Sequence, residues 1–175
     1  MAEALPGRAI SLLKTAVFSV LVPGTVAGYV PYRMLVRRGL WVMPELGARP
    51  AVGALLVALG AAGLLWCGWH FAVSGRGTPA PFDPPRRLVV QGLYRFVRNP
   101  MYVSVASILI GESLFFSSGA ILGYLLVCWL FVHLFVVLYE EPTLREKFGE
   151  SYEEYCKQVP RWIPGLYPRM HADKH

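Results

Sequence analysis

Four apolar stretches, each broken off by a short polar island, run along this chain. They cover Thr15–Tyr32, Ala51–Val73, Met101–Phe116 and Ala120–Tyr139. A helix that crosses a bilayer needs about 20 mostly apolar residues. The first stretch carries Pro23-Gly24, which predicts a kink. The second is rich in Gly and Ala, which lets neighbouring backbones approach closely. The third is short and is interrupted by Glu112. Only Ser117-Ser118-Gly119 separates the third from the fourth, so these two are expected to form an antiparallel hairpin. Beyond the fourth, Pro142 suits the first turn of a new helix, and Leu144, Phe148, Tyr152 and Tyr155 fall on one stripe of Thr143–Gln158. The segment Gly75–Pro85 is dense in Gly and Pro and reads as a fixed extended loop. The expected fold is an all-α integral membrane protein. It has about four transmembrane helices plus a C-terminal amphipathic cytosolic helix, in a single domain over residues 1–175.

Composition supports this class. The chain is 55% hydrophobic and 16% charged, against about 25% charged residues in a typical soluble domain. A net charge of +6 predicts a basic face toward anionic membrane lipids. Nucleic acid is not the expected partner, because the basic residues flank apolar spans. The three cysteines are scattered and give neither a disulfide framework nor metal-ligand spacing, so no metal is expected. The first apolar stretch lacks a small-x-small cleavage pattern, so no cleavable signal is expected. Lys/Arg asymmetry sets the orientation. With both termini inside, 13 of the 17 basic residues lie on the cytoplasmic side.

A hairpin of the last two spans brings two polar islands to one membrane face. One is Gln91–Tyr102; the other is the pair Glu140-Glu141. Each residue has an ordinary reading by itself. Arg95 and Arg98 suit lipid headgroups, or a carboxylate or phosphate held by forked donors. Asn99 before Pro100 suits a helix cap. Tyr94 and Tyr102 suit interfacial aromatics, and the glutamates suit solvent. The juxtaposition points to chemistry, since carboxylates suit a cationic ligand, or a ligand with an ammonium group. His133 lies on the Glu140 face, seven residues earlier, and is expected to hydrogen-bond within the bundle. His70 is not expected to be catalytic. Glu112 is expected to be a protonated or paired carboxyl near the outer interface.

These residues resemble the isoprenylcysteine carboxyl methyltransferase family, which is related to membrane phospholipid methyltransferases. The resemblance is carried by Gly92-Leu-Tyr94, Arg98-Asn-Pro-Met-Tyr102, Glu140-Glu141, and Phe148-Gly149 through Tyr152, Tyr155 and Val159-Pro160-Arg161. It runs from Leu88 to Arg161. It implies a helical membrane enzyme whose cofactor-binding half spans about 86–165. It implies that Leu88, Val89, Gly92, Tyr94, Arg98, Asn99, Pro100, Met101, Tyr102 and Glu140 form the S-adenosylmethionine site. Two positions depart from the family pattern. Asn99 stands where the family has His before Pro-x-Tyr, and Asn cannot titrate. Val136 stands where the prenylcysteine enzymes place an arginine on the substrate carboxylate.

The expected function is therefore S-adenosylmethionine-dependent methyl transfer to a lipophilic or lipid-borne acceptor that enters from the bilayer. Glu141 is the candidate base for an amine acceptor. The alternatives are phospholipid amine N-methylation and, from another class, a non-catalytic membrane carrier or scaffold. The polar residues cluster at one face instead of the midplane, which argues against a carrier. The expected location is a bacterial or archaeal inner membrane, with the cofactor site cytoplasmic.

Overall fold

A computed structural model describes residues 21–70, 88 and 90–165. The loop Gly75–Pro85 and Val89 lie outside the described residues. A π-helical turn, Thr25–Tyr29, leads into α1 (Val30–Arg37). Then come α2 (Ala48–His70), a 3-10 turn (Gly92–Arg95), and α3 (Pro100–Phe115). The chain continues through α4 (Gly119–Phe135), a second π turn (Val136–Glu140), α5 (Glu141–Phe148) and α6 (Glu150–Gln158). Among the described residues there is no strand.

Two helices have the length and apolarity to cross a membrane. One is α2, with 23 residues; the other is the continuous 30-residue helix Gly119–Phe148. Four spans are predicted by the hydropathy pattern, so this is a partial agreement. Helix α3 has 16 residues, about 24 Å at 1.5 Å per residue, and falls short of a hydrocarbon core of about 30 Å. The first apolar stretch begins before the described residues. Leu55, Leu59, Leu65, Leu126, Leu130 and Phe131 are exposed along α2 and α4, an apolar surface suited to lipid.

The α2–α3 seam is built on small residues. A Cβ on Gly53 would lie 2.6 Å from the Gly111 carbonyl oxygen, and one on Gly111 would lie 2.6 Å from that of Gly53. Farther along, a Cβ on Gly60 would lie 2.6 Å from the Ser104 carbonyl oxygen. Glycine therefore sets the interhelical distance. The Ser107 hydroxyl donates to the Leu56 carbonyl across the same seam at 3.0 Å. The predicted hairpin is present: Ser117 takes a positive φ of 53°, and Ser118 N–H closes onto the Ser113 carbonyl at 2.9 Å. Ala27, Leu35, Ile108, Leu109, Ile121 and Leu125 form the core between α1, α3 and α4.

At the polar end the structure corrects the helix boundaries. Pro142 stands in the first turn of α5 as predicted, but α4, the π turn and α5 run on as one continuous helix to Phe148. Proline has no N–H for the ladder and crowds the carbonyl one turn back. The π turn just before it relieves that conflict by widening the helix, with Glu141 N–H bonded to the Val136 carbonyl. The predicted helix Thr143–Gln158 is in fact two helices. Gly149 divides them at φ 53°, ψ −129°, a backbone region that essentially only glycine occupies. The predicted stripe survives the break. Tyr152, Tyr155 and Val159 are buried, with Leu144, Phe148, Leu88 and Val90 packed against them. The stripe therefore faces protein, and α6 closes down on the Gln91–Tyr102 island.

Candidate functional site

The island begins at Gly92, where φ is +59° and a Cβ would meet His70 and the Trp66 indole nitrogen at 2.8 Å. Glycine is needed on both counts. This close approach seats the 3-10 turn on the end of α2. Tyr94 is then buried with Cys67, and Met101 packs on the pair. The Tyr155 hydroxyl donates to the Tyr94 carbonyl at 2.7 Å, which ties α6 to the turn. Burial pushes the phenols of Tyr94 and Tyr155 up from the ordinary range, so both are neutral hydroxyls.

Pro100 occupies the first turn of α3 as predicted, but Asn99 does not cap it with its side chain. The Asn99 amide instead donates to the Arg161 carbonyl at 3.2 Å. Asn99 is 8% exposed and acts across 62 positions of sequence. Two backbone bonds accompany it. Arg98 N–H donates to the Pro160 carbonyl, and Gly165 N–H to the Phe96 carbonyl, each at 2.9 Å. Residues 159–165 thus form a strap laid along residues 96–99 and fastened at both ends.

The two glutamates have different surroundings. Glu141 is 3% exposed. Arg161 reaches both of its oxygens, with Nε at 2.7 Å from one and Nη2 at 3.0 Å from the other. Arg98 Nη1 reaches the first oxygen at 3.0 Å, and Arg145 lies 3.6 Å from the second. A forked arginine contact with a buried carboxylate is among the stronger charge-assisted pairings. It joins the end of the long helix, the island and the strap. Glu140 is only partly buried. Among the described residues its one protein donor is the Tyr102 hydroxyl, at 3.2 Å. Arg98 Nε is buried with no hydrogen-bond partner, and its Nη1 also donates to the Cys156 sulfur at 2.9 Å.

The structure brings together Gly92, Tyr94, Arg98, Asn99, Pro100, Met101, Tyr102, Glu140 and Glu141 at one end of the bundle. Leu88 sits instead in the apolar cluster under α6. His133 hydrogen-bonds within the protein as expected, although its partner, Trp162 at 3.2 Å, lies on the strap. The roles of Arg161, Trp162 and Cys156 were not legible from the pattern. The sequence hint was a tryptophan set between Pro160 and Pro164. Glu112 keeps a buried side-chain oxygen without a partner near the hairpin end, far along the chain from this site. Among the described residues no group of His, Cys, Asp and Glu side chains is arranged to hold a metal ion.

The chain is similar to methyltransferases of fungi and plants. A Schizosaccharomyces pombe protein-S-isoprenylcysteine O-methyltransferase is 37% identical over 78 residues, covering 44% of this chain and 33% of that protein. A probable protein-S-isoprenylcysteine O-methyltransferase of Oryza sativa subsp. indica is 30% identical over 84 residues, covering 47% of this chain and 44% of that one. A Talaromyces marneffei phosphatidylethanolamine N-methyltransferase is 34% identical over 86 residues, covering 47% of this chain and 9% of that protein. The matched stretch thus spans less than half the length of these relatives. All three are eukaryotic, which lends no support to a bacterial or archaeal membrane. The phospholipid methyltransferase family profile matches residues 48–151, from the first residue of α2 into α6. On that match, the chain belongs to the phospholipid methyltransferase family.

Proposed function

We propose that this protein is an S-adenosylmethionine-dependent membrane methyltransferase that acts on a lipophilic or lipid-borne acceptor. The observation that carries this reading is Glu140. It is a partly buried carboxylate at the end of a spanning helix, with one neutral protein donor and a cluster of arginine, amide and aromatic groups beside it. Such a carboxylate costs free energy to desolvate unless a cation answers it.

The residues present fit the cofactor. Glu140 suits its ammonium, the unpartnered Arg98 Nε suits its carboxylate, and the Asn99 amide oxygen can accept from a ribose hydroxyl. Tyr94, Met101 and Tyr102 suit the adenine. When bound, S-adenosylmethionine supplies a methyl group already activated by its sulfonium. What remains for the protein is to orient two partners and exclude water. Tyr102 fixes the Glu140 carboxylate, and the strap closes the polar end.

Glu141 takes a different role here from the expected base. Both of its oxygens already accept from guanidinium groups, so we assign it the positioning of Arg98 and Arg161. A carboxylate or thiolate acceptor needs no base. A second reading, N-methylation of a phospholipid amine, is favoured by the family match and the Talaromyces marneffei relative. Extraction of labelled lipid products distinguishes the two.

The deciding measurement is calorimetric binding of S-adenosylmethionine to the detergent-purified protein, beside Glu140→Gln. Binding by the wild type that falls at least tenfold in the variant supports the reading. A folded wild type that does not bind rules it out.

A further inference from the structure

A run of side chains crosses from the Glu140 carboxylate to the membrane-embedded part of α4. Glu140 accepts from Tyr102. The Tyr102 ring lies 6.5 Å from the Trp162 ring, and Trp162 lies 4.6 Å from Trp129 and 5.9 Å from His133. The Trp162 indole N–H donates to His133 Nδ1 at 3.2 Å. An indole nitrogen can only donate, so Nδ1 accepts, and the neutral imidazole carries its proton on Nε2. Among the described residues no protein group accepts from that Nε2.

His133 is the only imidazole or charged side chain between Gly119 and Tyr139. It is half-buried and lies about 10 Å from Glu140 along the helix axis, before the π turn that carries Glu140. The residues one turn on from His133, Val136 and Val137, offer no side-chain hydrogen bond. An N–H donor on a lipid-facing helix is costly to leave without an acceptor. The strap holds this donor in one tautomer and ends its wall beside it.

We propose that His133 binds an anionic oxygen of the methyl acceptor, a carboxylate or phosphate, through its Nε2–H. Trp162 is the positioning residue that fixes this tautomer. The inference rests on the methyl-transfer reading above. It divides the site along the helix, with the polar cofactor at the Glu140 end and the acceptor's oxygen at the His133 end.

Histidine-labelled protein in detergent gives the test by long-range proton–nitrogen spectra. His133 should be in the Nε2–H form in the wild type and mixed in Trp162→Phe. Two acceptor probes follow: N-acetyl-S-farnesylcysteine for a carboxylate, and phosphatidylethanolamine nanodiscs for a phosphate. One of them should shift the His133 Nε2–H resonance, which identifies the source of the oxygen. That probe should bind about tenfold more weakly to His133→Leu. His133→Gln, which keeps an N–H donor, should recover most of the loss. S-adenosylmethionine affinity, measured in each variant, should stay unchanged and report a folded site. The proposal is overturned by an Nδ1–H form in the wild type, by equal probe affinity in His133→Leu, or by binding of neither probe to protein that holds S-adenosylmethionine. Failure of the wild type to bind S-adenosylmethionine is a separate result, against the reading on which it rests.

Discussion

Glu140→Gln and Glu141→Gln remove the same charge from neighbouring positions, and their consequences are expected to separate. The first should lose S-adenosylmethionine binding and keep its thermal midpoint. The second should lose about 3 kcal/mol of stability, because it leaves Arg98 and Arg161 without their shared carboxylate. Thermal unfolding beside calorimetry separates the two. A lower midpoint in Glu140→Gln, or an unchanged one in Glu141→Gln, would reverse the assignment. That a polar pair faces a polar island was legible in the sequence. The resemblance set Glu140 apart as the cofactor residue, but that Glu141 would be enclosed by arginines was not legible, since the answer depends on helical phase. The π turn at Val136–Glu140 adds a residue to that turn and rotates everything after it. Apolar spacing carries no mark of such a shift.

The elements of the bundle show the same division. A three-residue connection leaves two apolar helices little choice, so the α3–α4 hairpin could be read directly. The break at Gly149 could not, because the apolar stripe continues across it and a glycine within a helical pattern is tolerated. Gly149→Ala meets no atom within 4 Å, so its whole effect is conformational. It should destabilise by about 1–3 kcal/mol. Gly111→Ala has the opposite origin, with an ordinary helical backbone and no room. Its Cβ would press on the Gly53 carbonyl oxygen and the Val57 side chain, and about 1–3 kcal/mol of overpacking is expected. Thermal unfolding in detergent measures both. Pairing Gly53→Ala with Gly111→Ala should give a non-additive loss, because the two sites share one contact.

The whole molecule depends on pairings between distant parts of the sequence. Arg98 meets Glu141 across 43 positions, and Asn99 meets Arg161 across 62. No local periodicity encodes such contacts. The residue types were visible in the sequence, but the partners were not. A chain ended after Gln158 removes the strap and exposes this dependence. It should retain its helical circular dichroism, since the strap itself is not helical. It should bind S-adenosylmethionine at least tenfold more weakly, because Asn99 and Arg98 lose their supports. Retained affinity would show that the strap only covers the site.

The strap is fastened largely through its main chain. The Pro160 and Arg161 carbonyls and the Gly165 N–H make its three bonds to residues 96–99. Side chains add to these: Arg161 grips the Glu141 carboxylate, and the Trp162 indole N–H reaches His133 on α4 at 3.2 Å. A substitution at 162 changes what the wall presents to the α4 face and removes one side-chain tie, while the three main-chain bonds remain. On the methyl-transfer reading proposed above, residue 162 is therefore a place where a lineage can alter acceptor preference in a single step, with the strap still held by its main chain.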